Sequence, residues 1–299
     1  MYFIGNQKAV QLLSKAIENG KISQAYLFSG PESVGKFALA KFFANSIISG
    51  KSMLGNEKSF SAKGKDELDL FVIEPEIEEK KGIKKEKDIK IEKIREAQKE
   101  LILYPYNGKK KVLIIRDAHK MTVSSQNALL KSLEEPNRTS VIILITHNDS
   151  AIVPTIKSRC QKINFFLEDA EKMKELLGND GNKEIVEFSM GRPGLAIKMK
   201  EDREELDSRR KDFEELENFS SRGINEKFGL AEKMSANPAE AVKKLEFWMW
   251  IIRLEAKKGN QNRSFFGFKT IEKIEKALET IKNTNANVRL VIENLFLEI

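Results

Sequence analysis

Cysteine is almost absent from the 299-residue chain: Cys160 stands alone, which excludes any internal disulfide. Histidine is nearly as scarce, with His119 and His147 only, so no zinc cage of cysteine and histidine can be assembled and no metal is expected. Such cysteine usage fits a reducing cytoplasm. No stretch approaches 18 uninterrupted apolar residues, and Met1 to Lys8 lacks a basic region followed by a long apolar one. A protein neither exported nor membrane-spanning is predicted. Excess charge is scarce too: 52 lysines and arginines against 45 aspartates and glutamates leave +7, short of the lopsided balance of a DNA-coating protein. What is present is 40% hydrophobic and 32% charged residues, enough for real cores in two domains of roughly 150 residues each, or in three smaller ones.

Residues 6–19 place Val10, Leu12, Leu13, Ala16 and Ile17 at helical spacing before Gly20 ends the pattern. Ala25 to Phe28 reads as a strand, Gly30 to Lys36 as a glycine loop, and Phe37 to Ile48 as a largely buried helix. After a polar stretch between 51 and 65, Leu68 to Ile73 resembles a buried strand ended by Pro75. Residues 78–93 carry 12 charged side chains in 16 positions, which predicts a solvated loop grading into a helix from about Ile89 to Leu103. Lys111 to Ile115 and Val141 to Ile145 are continuous apolar runs, the pattern of central parallel strands covered on both faces, with a helix over 122–135 between them. Such alternation predicts an open α/β sheet with right-handed crossovers up to about residue 166. From 168 onward the pattern is helical throughout, broken at Gly178–Gly181, Gly191–Gly194, Gly223 and Gly259–Asn262. The fold class is therefore α/β followed by all-α, with helical units over 167–205 and 206–299. In the second of these, Phe247, Trp248, Trp250, Ile251, Ile252 and Leu254 surround one helix, as an internal core or as a surface facing neighbouring subunits.

Gly30-x4-Gly35-Lys36, after a strand and opening a helix, is the context of a phosphate-binding loop. Glycines let backbone N–H groups converge, the helix N-terminus adds about half a positive charge, and Lys36 would reach the terminal phosphates. The hydroxyl that should follow the lysine and ligate magnesium is replaced by Phe37. The second nucleotide signal, a hydrophobic strand ending in two acids, reads Ile115-Arg116-Asp117-Ala118-His119. Either register loses one acid. If Arg116 takes the metal-binding place, its guanidinium at roughly 5 Å would repel a divalent cation by on the order of 7 kcal/mol before screening. Hydrolysis at this site is not expected, although Gly30, Gly35 and Lys36 leave room for weak or structural ATP or ADP binding.

Asp117 to Met121, Asn127 to Pro136, Ile145 to Asn148 and Pro154 to Cys160, with its Ser158-Arg159-Cys160, together resemble the AAA+ ATPase domain of bacterial clamp-loader subunits. Gly191 to Ala196 resembles that family's lid segment, and Asn287 to Leu295 the closing helix of its collar. The resemblance implies a P-loop parallel-sheet domain over 1–166, a helical lid over 167–205 and a helical oligomerisation collar over 206–299. The degraded nucleotide site is similar to that of the delta-prime type in DNA polymerase III. This implies a non-hydrolysing subunit of a ring that places the sliding clamp on primer-template DNA, beside gamma/tau-type motor and delta-type subunits. By the match, Arg159 would be an arginine finger acting in trans on a neighbour's nucleotide, with Ser158 bracing its loop. Asp117, Thr146, Asn148 and Arg192 fall at acid-like and sensor-like places. Related subunits often carry a four-cysteine zinc module, but residues 51–90 form a lysine- and glutamate-rich variable insertion without cysteine, so zinc is not carried over. Two alternatives stand beside this reading. One is an active AAA+ ATPase, a gamma/tau-type motor or another replication enzyme, that tolerates Phe37 and uses Asp117; the other is a DNA-binding module tethered by the 78–93 charge run.

Overall fold

The computed structural model describes residues 5–53, 68–80, 83–106, 110–178, 183–257 and 267–299. The 51–65 stretch and the breaks expected at Gly178–Gly181 and Gly259–Asn262 lie wholly or partly outside them. Two compact units result: Met1–Leu176 with Arg192–Gly194, and Leu177–Gly191 with Leu195–Ile299.

Strands β1 (Ala25–Ser29), β2 (Leu70–Ile73), β5 (Lys111–Ile115), β6 (Ser140–Thr146) and β7 (Gln161–Asn164) form the sheet of the first unit. Their order is β2-β5-β6-β1-β7, and every pairing is parallel. The continuous apolar runs of β1, β5 and β6 are buried at every position, because helices cover both faces. Alternation then divides the core. Tyr26, Phe28, Val112, Ile114, Ile143 and Ile145 pack against α1 (Gln7–Glu18) and α2 (Lys36–Ser49). Leu27, Leu113, Ile115, Ile142 and Leu144 pack against α3 (Ile91–Ile102) and α4 (Val123–Glu134).

Three points of the sequence reading need correction or addition. The apolar run at 68–73 was expected to be buried, but β2 is an edge strand, and of its four residues only Ile73 is buried. Within the charge run expected to be a loop, β3 (Ile77–Lys80) and β4 (Ile83–Glu86) form an antiparallel hairpin, with Ile77 opposite Glu86 and Glu78 opposite Lys85. The third is β7, which the sequence did not signal because Ile163 is its only buried residue.

The start of this unit is clasped to its end. The Asn6 side chain donates from Nδ2 to the Phe166 carbonyl at 3.1 Å and accepts from the Phe166 N–H at 2.7 Å. Beyond β6 the chain forms α5 (Pro154–Lys157), and beyond β7 it forms α6 (Ala170–Leu177).

The second unit is helical: α7 (Lys183–Phe188), α8 (Pro193–Glu201), α9 (Arg203–Glu217), α10 (Ile224–Ser235), α11 (Pro238–Lys257), α12 (Phe268–Asn283) and α13 (Val288–Glu298). Asp202 caps α9 by accepting from the Glu204 N–H, and Asn287 caps α13 by accepting from those of Arg289 and Leu290. Phe247, Trp248, Ile251 and Ile252 are buried, so this cluster is an internal core. Trp248 meets Phe219 edge-on at 5.5 Å and donates its indole N–H to the Asp212 carbonyl at 2.9 Å. Trp250 is half-buried and donates to the Glu187 carbonyl.

Candidate functional site

Parallel strands bring their C-terminal ends to one edge of the sheet, where ligands of open α/β folds bind. At that edge β1 runs into the glycine loop, β5 into Arg116 and β6 into His147. The loop needs its unusual residues. Gly30 has φ 149°, and a Cβ there would stand 2.3 Å from the Phe165 carbonyl oxygen; Ser33 and Gly35 also take positive φ, the latter opening α2. Gly194 belongs to the same site, donating its N–H to the Ser33 carbonyl at 2.8 Å.

Lys36 is buried, and its ammonium donates to the Gly30 carbonyl at 2.6 Å and to the Pro31 carbonyl. The loop thus closes on its own lysine, and a phosphate would have to displace two backbone acceptors. Burial pushes the Lys36 pKa down to about 8 against the pull of Asp117 and Glu32, with Arg192 adding to the fall.

The place of the missing magnesium ligands is filled by a different contact. The Arg116 guanidinium lies 5.1 Å from the Phe37 ring centroid, and its Nη1 meets Glu74 Oε2 at 3.1 Å. Its Nε stands 3.5 Å from Asp117 Oδ2. Asp117 itself sits at φ 50°, and its other carboxylate oxygen faces His147 Nδ1 at 3.6 Å. Burial works to raise the Asp117 pKa, but the adjacent His147 ring, His119 and the Arg116 guanidinium hold it below the usual carboxylate value. His119 packs against His147 with ring centroids 4.0 Å apart, and burial, helped by the charge of His147, pushes its pKa down to about 4. Thr146 Oγ1 donates to the Asn148 carbonyl and stands 3.4 Å from His119 Nδ1. The sequence missed this cluster, and it missed Glu74. The only signal available was that both histidines follow apolar strands.

Arg159 lies elsewhere. Because β7 runs parallel to β1, the residues preceding it stand at the N-terminal edge of the sheet, opposite the glycine loop. There Arg159 Nη1 donates to the Thr155 carbonyl at 3.0 Å and to Ser158 Oγ at 3.3 Å, while Nη2 pairs with Glu134 at 2.9 Å. Ser158 Oγ donates to the same Thr155 carbonyl. Cys160 is half-buried against the α3/α4 core, and burial raises its thiol pKa to about 12, which makes it a small apolar packing group.

Residues 5–169, more than half of the chain, match the family described as DNA polymerase III, delta subunit. The chain belongs to that family. Delta-prime subunits of DNA polymerase III are similar to it: that of Pseudomonas aeruginosa is 37% identical over 144 residues, covering 46% of this chain and 42% of the relative. That of Bacillus subtilis is 32% identical over 164 residues, 53% of this chain and 46% of the relative. The gamma/tau subunit of Mycobacterium tuberculosis is 29% identical over 188 residues, 61% of this chain and 31% of the relative. The matched part is thus less than half the length of each of these relatives. A gamma-subunit-related protein of Thermotoga maritima shares the fold, with a TM-score of 0.54 and 20% identity over 97% of this chain and 98% of that one. These likenesses place the chain in the clamp-loader delta-prime/gamma/tau family of DNA polymerase III, and its fold is the expected α/β unit followed by helices. Of the expected site residues, only Arg192 falls outside the matched stretch.

Proposed function

We propose that this chain is a delta-prime-type clamp-loader subunit that does not hydrolyse ATP and lends Arg159 to the nucleotide site of a neighbouring subunit. The observation that carries this is the separation of the two arginines. Arg116 lies against Phe37 in the first turn of α2, beside the chain's own loop, whereas Arg159 stands at the opposite sheet edge. The seven residues of β6 measure roughly 20 Å, so Arg159 cannot serve Lys36 in cis. A guanidinium at such a rim suits the charge that builds on a transferring phosphoryl group.

In this reading gamma/tau-type motors and a delta-type subunit are the ring partners, and the sliding clamp and primer-template DNA are met through the complex. Residues 167–205 act as lid and 206–299 as collar, in the cytoplasm, with no nucleotide or four-cysteine zinc module required. Among the described residues no helix is long and apolar enough to cross a membrane. The test is DNA- and clamp-stimulated ATP turnover by the reconstituted loader. Arg159→Ala should depress it and Lys36→Ala should not. Turnover by the purified chain alone, abolished by Lys36→Ala, would instead establish the active-ATPase reading.

A further inference from the structure

The only two histidines of the chain, well apart in sequence, end up side by side with a carboxylate. Each of Asp117, His119 and His147 offers one ligand atom, and the three atoms lie within 4.8 Å of one another. Two follow β5 and the third follows β6, neighbours in register at Ile115 and Leu144. We propose that Asp117, His119 and His147 form a binding site for a borderline divalent transition ion of the zinc class. The site would have three protein ligands and an open position for water or an anion.

The donor set decides which ion. Two imidazoles and one carboxylate suit zinc, iron, cobalt or nickel, whereas magnesium takes oxygen ligands and keeps its waters. Asp117 Oδ1 and His147 Nδ1 are 3.6 Å apart, close to the separation of two atoms each about 2.1 Å from a shared tetrahedral ion. A supporting shell is in place. The Thr146 hydroxyl hydrogen goes to the Asn148 carbonyl at 2.9 Å, so toward His119 Nδ1 its oxygen can only accept. That leaves the other ring nitrogen with its lone pair, as a ligand requires. Arg116 does not occupy the site, because its guanidinium engages Glu74 and the Phe37 face and meets Asp117 through the other carboxylate oxygen. Around the site the carboxylates of Asp117, Glu74 and Glu86 stand against the cations of Arg116, Lys36 and Lys120. His147 keeps a side-chain exposure of 36%, enough for an ion to enter from solvent. The sequence-based expectation of no metal rested on counting cysteine and histidine alone. The fold adds the aspartate.

The experiment is titration of tag-free protein with cobalt(II) and zinc(II), read by calorimetry and by the visible d–d absorption of cobalt. One equivalent should bind, excess magnesium should not displace it, and His147→Ala and Asp117→Asn should each weaken binding at least about tenfold. Circular dichroism of both variants establishes that they fold; His147 is exposed enough to be removed without disturbing the core. Absence of stoichiometric binding by the wild type, or equal binding by a folded His147→Ala variant, would overturn the assignment. Neither outcome depends on whether Arg159 acts in trans.

Discussion

The two edges of the parallel sheet hold the same kinds of side chain under different conditions. At the C-terminal edge Lys36 turns inward onto backbone carbonyls, while Arg116 stays exposed between Glu74, Asp117 and Phe37. At the N-terminal edge Arg159 is held by the Thr155 carbonyl and by Glu134, whose side chain is 51% exposed. Freeing Lys36 breaks two desolvated hydrogen bonds, whereas an exposed ion pair contributes only about 0–1 kcal/mol. The lesson is that one edge of a sheet can close upon its own lysine while the arginine at the other edge is held by weaker, exposed contacts.

The largest expected effect is functional. Arg159→Ala should lower turnover at the one pocket it serves by about 10³-fold, the scale on which arginine fingers act, read as single-site turnover in the assembled loader, while leaving the subunit's own unfolding free energy within about 0.5 kcal/mol. A large loss of stability would show that the two edges are not so different. Next comes Gly30→Ala, which forces a Cβ into the Phe165 carbonyl at a backbone conformation reserved for glycine. It should destabilise the protein by about 2–3 kcal/mol in urea unfolding. A neutral result would mean that the loop is open rather than closed.

Smaller still is the pH effect of His119. Its folded pKa of about 4 lies below the ordinary 6.5, so the unfolded chain binds more protons between those values and stability falls as pH drops through that window. For this half-buried group the loss should be about 1–2 kcal/mol after screening, measured by urea midpoints at pH 7 and 5 in the presence of chelator. His119→Asn should flatten it. The smallest effect belongs to Glu134→Gln, which should change stability by no more than about 0.5 kcal/mol. A larger cost would make Arg159 a structural residue.

Legibility followed burial. Strands β5 and β6 were readable because both faces are covered and the apolar run is unbroken. The same run misled at β2, since an apolar segment looks alike whether one neighbour strand or two will pair with it. Strands β3, β4 and β7 offered no apolar run to read, since each carries a single isoleucine among polar and charged residues. In the site, the glycine loop was recognisable from local spacing, but its self-closure through Lys36 was not, because a carbonyl acceptor leaves no mark in sequence. The meeting of His119 with His147 comes from the parallel adjacency of β5 and β6, a long-range fact that no window of residues contains.

The clasp between Asn6 and Phe166 has a mechanical consequence. A single carboxamide grips both the N–H and the C=O of a residue 160 positions away, so the two ends of the α/β unit meet at one point. Force that pulls Asn6 away from Phe166 loads both bonds at once rather than peeling them in turn. Once they part, α1 still rests on Ala9 and Leu13 in the core and the strand end on the bond from the Phe165 N–H to the Ser29 carbonyl, so the clasp is an added, parallel anchor.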